Sequence, residues 1–511
     1  MDSDAGSAKP VLFWNGGTQV KPSAVAVLDV GKTNKKVSLY DRQFNVLAEE
    51  RTPIESKDLK GLEVEDTDAL LTWFRSSLKK LAAQADIRTI AITTHGATLV
   101  LLDESGKLAH PVISYSAAKG SEVQEEFYSA FGDSATLHRA TCTPDVGFAN
   151  MGKVLFYVKT RLPEVWAKCR HALFYTSYLG YELTGVMGME PTYVGNHCYL
   201  WDFAQNTWSG VARQLGADKL FPESISPPWA CLGVVKREIA EECGLSKDCK
   251  VTQGIHDSNA NFLSYLAQGY DDFLLNSTGT WCVLMRKAAS IDLSPEEIAA
   301  KVFFNLDAFG HPVRTCISPA GMEYDTFRGF SLLNDESDVA AVRRVTQERK
   351  LFVIPGVLPD ASAFPGASAR VVVGGVEYSL DNLRRRTDSP MTPFRQDYFA
   401  ALNLSLALGT RKMLAWCGVK KGTTVFIEGG FAKNKTYCEL LAALCPDQSF
   451  VLTSVKEGTS FGAALTGWML AENMSLEAIG KEFSIRTTPI SRVDFGNIQP
   501  YETEFMRLAS R

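Results

Sequence analysis

No stretch of the 511 residues is apolar for the length of a bilayer, so no membrane-spanning helix is expected. The start, MDSDAGSAKP, is acidic and polar where a secretory signal is basic and then apolar, and a cytoplasmic protein is expected. A basic excess is absent as well. Lys+Arg number 53 against Asp+Glu 58, a net charge of -5, which argues against nucleic acid as a partner. The 11 cysteines include no CxxC pair, and several, Cys282 and Cys316 among them, sit in apolar runs. Reduced, buried thiols are expected rather than a metal site or a disulfide framework.

What is present is ordinary globular composition, 45% hydrophobic and 22% charged, in a chain long enough for two cores. From Ala24 three strand-like pieces follow one another, AVAVLDV, KVSLYD and NVLAEER, joined by tight polar connections. An amphipathic helix is expected over Asp66 to Ala85, with Leu70, Leu71, Phe74, Leu78 and Leu81 on one face, and then a strand over Arg88 to Thr94. Three strands, a helix and a strand open a ribonuclease-H-like unit of the α/β class. The same grammar returns in a hairpin over Asp271 to Lys287 turning at Ser277-Thr278-Gly279, a helix over Gln396 to Trp416, strands TTVFIE and SFVLTS, and helices from Lys433 and Gly458. Two similar halves meet near Tyr270. The division expected is a tail over 1–20, domains over 21–270 and 271–485, and an extension over 486–511. The stretch Ile354 to Gly375 is expected to be a long loop.

Asp29-Val-Gly-Lys-Thr-Asn-Lys-Lys36 lies between two strands, so it is a hairpin turn. The backbone amides of Gly31 to Asn34, with the Thr33 and Asn34 side chains, can bind phosphate oxygens, and Asp29 can hold magnesium through water. A Walker P-loop is excluded, because residue 26 is alanine and VSLYD alternates like a strand instead of opening a helix. The second turn, Ser277-Thr278-Gly279-Thr280, repeats this chemistry, and two such hairpins could clamp a nucleotide's phosphates. Glu428-Gly429-Gly430 to Asn434 bends between strand and helix where a flat base can approach the backbone. Gly458-Thr-Ser460-Phe-Gly462 matches a nucleophile elbow, but no histidine follows Ser460, since the last is His311; close helix packing is expected there instead. His256-Asp257 opens a helix that Gly269 ends. Asp257 reads either as a helix cap or as a general base kept ionised by the helix N-terminus.

Taken in order, these elements resemble the FGGY family of carbohydrate kinases, relatives of hexokinase, actin and the heat-shock ATPases, from about Ala24 to Gly467. Asp29-x-Gly31-x-Thr33-Asn34 is similar to that family's first phosphate motif, Thr94 to Thr98 with the run to Ser114 to its sugar-side hairpin, and Thr192 to Trp208 to a further conserved stretch. His256-Asp257 resembles its catalytic aspartate motif, Ser277-Thr278-Gly279 its second phosphate turn, and Gly429-Gly430 with Asn434 its adenosine motif. The resemblance implies two ribonuclease-H-like, actin- and hexokinase-like ATPase domains around a central cleft. The first would serve mainly sugar and the second mainly adenosine. It implies ATP and Mg2+ as cofactors, Asp257 as catalytic base, Asp29 as the metal-side carboxylate, and phosphate contacts from Gly31, Thr33, Asn34, Thr278, Gly279 and Thr280. His95, Thr98, Tyr115 and His256 would contact sugar.

The first phosphate turn and the His-Asp pair are most similar to L-fuculokinases and L-rhamnulokinases, implying phosphorylation of the primary hydroxyl of a ketose or deoxyketose. The sugar side departs from that pattern. Thr98 stands where those enzymes carry an aspartate, Tyr115 where a tryptophan is expected, and Lys153 lies in altered surroundings. Kinases of pentuloses or polyols, such as xylulose, ribulose or glycerol, remain an alternative. So does an actin-like ATP-binding module without sugar chemistry, for which the His256-Asp257 motif and sugar hairpin would have no use. A homodimer is left open.

Overall fold

The computed structural model describes residues 13–15, 18–330, 338–358, 361, 363–385, 394, 397–455 and 457–510. Most of the expected tail therefore lies outside the described residues, as does Gln396. The chain divides into two units. One is Met1–Tyr270 with Phe304–Pro312 and Glu457–Ser484; the other is Asp271–Phe303 with Val313–Lys456 and Ile485–Arg511.

In the first unit, Ser23–Val30, Asn34–Tyr40 and Val46–Pro53 form the expected antiparallel meander. Asp86–Thr94 then lies parallel to Ser23–Val30 on its other side, and Lys250–Thr252 parallel to Asp86–Thr94 beyond it. Counted in chain order the sheet runs 3-2-1-4-5, with Cys231–Val234 added antiparallel at the edge. The innermost strand is apolar at nearly every position because both faces are covered. Ala24, Ala26 and Leu28 pack with Leu70, Phe74 and Leu78 of the helix Thr67–Ala82. Val25 and Val27 face Ala463, Ala464 and Trp468 of Gly458–Glu472 on the other side.

The helix Gly458–Glu472, which the expected division placed in the second domain, thus packs in the first unit. Small residues let the helix belong to the first unit. A Cβ on Gly462 would lie 1.7 Å from the Ala260 carbonyl oxygen, one on Gly467 would lie 2.3 Å from Val25, and one on Gly458 would lie 2.1 Å from Asn261. The close helix packing expected of Gly458 and Gly462 is what these approaches describe.

The second unit repeats the order 3-2-1-4-5 with Phe273–Thr278, Cys282–Lys287, Pro312–Ser318, Thr424–Gly429 and Ser449–Thr453, and adds Thr487–Pro489 at an edge. Both units thus have the sheet of actin-like ATPases. The first hairpin turns at Gly279-Thr280-Trp281, since Thr278 pairs with Cys282, two positions later than expected. The stretch Ile354 to Gly375 is not all loop. Leu351–Ile354, Arg370–Val373 and Val376–Ser379 form a three-stranded sheet turned at Gly374-Gly375, whose φ values of 58° and 86° suit a tight hairpin. In the segment expected as an extension, Phe495, Tyr501, Phe505 and Leu508 are buried in the second core. Among the described residues no helix is long and apolar enough to cross a membrane.

Candidate active site

Three parallel strands of the first unit end at one level. Val30 pairs with Thr94, and Thr94 with His256, so the chain leaves the sheet side by side into the Gly31 turn, the His95-Gly96-Ala97 loop and Asp257. The carboxyl ends of parallel strands are where α/β proteins gather binding residues, because the loops there converge.

Asp257 is the first residue of the helix Asp257–Ala267, and the cap position falls on His256, whose side chain makes no capping bond. The Asp257 carboxylate accepts the Ser258 N–H through Oδ1 at 2.6 Å, and His256 Nε2 lies 3.0 Å from the same oxygen. Burial would raise the Asp257 carboxyl, but the charge and hydrogen bond of His256, the charge of His95 and the Ser258 N–H hold it below the ordinary 3.8. The neighbouring imidazole contributes more to this than the helix end does.

His256 is itself held on several sides. Its N–H donates to Thr192 Oγ1 at 2.9 Å, Asn259 Nδ2 lies 3.0 Å from Nδ1, and Asn196 Nδ2 lies 3.3 Å from the ring. Thr192 is fixed in turn by Glu190, which accepts the N–H groups of Thr192 and Tyr193 and the Thr192 hydroxyl at 2.7–2.8 Å. Burial pushes the Glu190 carboxyl up to about 8 against these bonds. Asn196 also accepts the Ala97 N–H at 3.0 Å, which steadies Ala97 in a left-handed conformation with φ 59° that costs a non-glycine residue about 1–2 kcal/mol. Gly96 admits no side chain, since a Cβ would lie 2.4 Å from Asn196 Oδ1 and 2.8 Å from His256 Nε2.

His95 packs at a tilt against Tyr115 and Tyr175, with ring centroids 5.1 and 5.4 Å apart. The Thr98 hydroxyl turns back to the Gly96 carbonyl oxygen at 3.3 Å. Asp29, at the end of the first strand, accepts the Ser460 hydroxyl at 2.5 Å and lies 3.3 Å from the Lys36 ammonium. Burial raises its carboxyl, Lys36 and Ser460 oppose the rise, and the charge of Asp257 adds to it. In the turn beyond, Lys35 folds back to donate to the carbonyls of Gly31 at 3.0 Å and Lys32 at 2.7 Å, while Thr33 and Asn34 stand exposed.

The second unit builds its own cluster around Thr278. The Thr278 hydroxyl donates to the Glu428 carbonyl and accepts the Phe431 N–H at 3.0 Å, fastening the first hairpin to the Gly429-Gly430 bend. Gly429 has φ 82°, and a Cβ there would lie 1.9 Å from the Thr278 carbonyl oxygen; at Gly430 the corresponding distance is a comfortable 3.7 Å. Gly279 and Thr280 are exposed at the hairpin tip. Asn434 caps the helix Lys435–Leu444, accepting the Tyr437 N–H at 3.1 Å and donating to Asn403 Oδ1 at 2.8 Å.

A profile of the FGGY family of carbohydrate kinases, N-terminal domain, matches residues 24–264, and one of the carbohydrate kinase FGGY, C-terminal domain, matches 271–475. The chain belongs to the FGGY family. It is an ATP-dependent carbohydrate kinase. An L-fuculokinase of Salmonella typhi is 28% identical over 464 residues, covering 88% of this kinase and 93% of the relative. A carbohydrate kinase from Novosphingobium aromaticivorans superposes with a TM-score of 0.77 at 25% identity, over 95% of this chain and 98% of that one. A xylulose kinase from Lactobacillus acidophilus gives 0.76 at 16% identity over 95% and 96%, a likeness of fold alone.

In the kinase's first unit, Asp29, His95, Thr98, Tyr115, His256 and Asp257 come together, with Gly31, Thr33 and Asn34 in the adjoining turn. In the second, Thr278, Gly279, Thr280, Gly429, Gly430 and Asn434 do. Sequence reasoning missed Ser460, Lys36, Glu190, Tyr193 and Asn196. Only Glu190-Pro-Thr192 carried a local signal, an acid ahead of a proline at a helix start. Among the described residues no group of three or more His, Cys, Asp or Glu could hold a metal ion.

Proposed function

We propose that this sugar kinase phosphorylates the primary hydroxyl of a ketose, most readily a six-carbon deoxyketose of the L-fuculose or L-rhamnulose kind, with Asp257 as general base. The observation that carries this is the His256–Asp257 pair. A half-buried carboxylate kept ionised by a fixed imidazole, beside a loop of His95, Ala97 and Tyr115, is suited to accept a hydroxyl proton from a sugar with an apolar side. The likeness to an L-fuculokinase supports the same choice.

In this reading Oδ1 of Asp257 is taken by His256 and Ser258, and the sugar's proton goes to Oδ2. Asp29 would hold magnesium, which when bound offsets charge on the transferring phosphoryl group. The Gly31 to Asn34 turn would bind phosphate oxygens from the first unit, and Thr278 to Thr280 from the second, where Gly429-Gly430 would accept the adenosine ring. Tyr115, Ala97 and Ala117 supply the apolar surface for a methyl group.

The test is ATP consumption with L-fuculose, L-rhamnulose, D-xylulose, D-ribulose and glycerol, compared by kcat/KM. A preference for a deoxyketose is expected. Preference for glycerol or a D-pentulose would overturn the substrate and leave the kinase.

A further inference from the structure

The hairpin tip of the second unit leans on one helix, Ala320–Arg328, which starts just after the strand Pro312–Ser318 ends. The Met322 N–H in its first turn has no partner within the helix and donates to the Thr280 carbonyl at 3.1 Å. Gly321 lies hard against the same tip, since a Cβ there would be 2.0 Å from the Gly279 carbonyl oxygen. Tyr324 then meets the ring of Phe431 edge-on, with centroids 5.7 Å apart, directly after the Gly429-Gly430 bend. The two elements proposed to hold phosphate and adenosine thus rest on the start of a single helix.

Glu323 stands between Met322 and Tyr324 and is buried. Its Oε1 accepts the Gly356 N–H at 2.9 Å, which ties the helix to the loop after the strand Leu351–Ile354. That loop is a fixed point. Gly356 has φ 129°, and a Cβ on it would lie 2.1 Å from the Ala367 carbonyl oxygen. Burial pushes the Glu323 carboxyl up to about 7, against the N–H groups of Gly356 and Val357 that favour its ionised form. A glutamine could accept the same N–H without desolvating a charge, so an acid here points to a use for its titration.

We propose that Glu323 is a positioning residue for nucleotide: its carboxylate fastens to the Gly356 loop the helix that supports the hairpin tip and the Gly429-Gly430 bend. The inference rests on the reading of the second unit as the nucleotide-binding part of the kinase. Above about pH 7 the ionised Glu323 accepts from backbone N–H as a charged group, the stronger kind of hydrogen bond. Below it the neutral acid holds the loop less firmly, and its new O–H has to be placed in a buried setting. Nucleotide affinity therefore falls as pH falls through about 7. The titratable groups on the elements packed around the helix keep one form across this range. Burial pushes the Cys282 thiol, on the second strand of the hairpin, up to about 12, with the charge of Glu323 adding to the rise. Burial likewise raises the Tyr398 hydroxyl, which donates to the Phe327 carbonyl at 2.9 Å from the helix Tyr398–Trp416.

The experiment measures Kd for ADP by calorimetry from about pH 6 to 8, in wild type and in Glu323→Gln, whose side chain stays neutral throughout. Titration of ADP itself is common to both proteins, so the ratio of their Kd values isolates Glu323. At pH 8 the variant should bind about 2- to 30-fold more weakly, the range for a residue that acts through its neighbours. At pH 6 the two should converge. A ratio of one at pH 8, or the same ratio at every pH, would overturn the inference while leaving the nucleotide site standing. Should Glu323→Gln fail to fold, wild type decides alone: affinity that stays flat from pH 6 to 8, once the titration of free ADP is subtracted, would overturn it. Wild type that binds no ADP would remove the proposed nucleotide site and this inference together.

Discussion

Nε2 of His256 lies 3.0 Å from Oδ1 of Asp257, its neighbour in the chain, and so a strand's last residue and a helix's first form one functional pair. Asp257→Asn keeps the volume and loses the charge. The expected result is a fall in kcat of about 10²–10⁴-fold, the range for a lost general base, with ATP binding by calorimetry retained. A folded variant with near-normal turnover would reduce Asp257 to a structural residue.

The pair also sets a pH dependence. Asp257 works ionised, so activity persists above its depressed pKa and is lost as pH falls through it. Without the imidazole, burial is less opposed and the carboxyl rises. In His256→Ala the acidic limb of kcat, followed from about pH 3 to 8, should move toward neutrality. An unmoved limb would mean that His256 does not tune Asp257.

Glu190 gives a stability test. Its folded pKa of about 8 stands above the ordinary 4.5, so the folded state binds the extra proton between these values. Stability from this group is fully present below the unfolded pKa and is lost as pH rises through the folded one. Thermal unfolding of Glu190→Gln should therefore fall less than wild type between about pH 5 and 8. Parallel curves would contradict the raised pKa.

Two adjacent glycines should behave differently. Gly429→Ala must force a side chain against the Thr278 carbonyl in left-handed backbone, and loss of folding stability is expected on thermal denaturation. Gly430 has room for a Cβ. Gly430→Val should fold, raise Kd for ATP several-fold and leave sugar binding without nucleotide unchanged, as read by calorimetry. Loss of sugar binding with ATP binding kept would reverse the assignment of the two units.

The local periodicities were legible in the sequence, because they depend on which faces of a strand or helix must be apolar. The meander from Ala24, the helix carrying Leu70, Phe74 and Leu78, and the strand ending at Thr94 were all expected within a few residues of where they stand. Glycine turns were legible for the same reason, since Gly31 and Gly279 interrupt patterns on a scale of a few residues. The hairpin at Gly374-Gly375 was equally local and was passed over, its valine run being masked by the proline and glycine before it.

Only the tertiary structure decided which distant residues meet. Ser460 reaches Asp29 across 431 positions, and Asn196 reaches Ala97 across 99, and neither contact leaves a mark on its own segment. The helix Gly458–Glu472 follows second-unit strands in the chain and packs in the first unit, because Gly462 and Gly467 fit against Ala260 and Val25. Nothing in Gly31-Lys32-Thr33 itself shows that Lys32 turns to Glu63 and Glu65. A sequence states which side chains are available and how each segment is patterned; the direction in which a buried charge turns is decided by the partners that offset its desolvation, and those are assembled only by the fold.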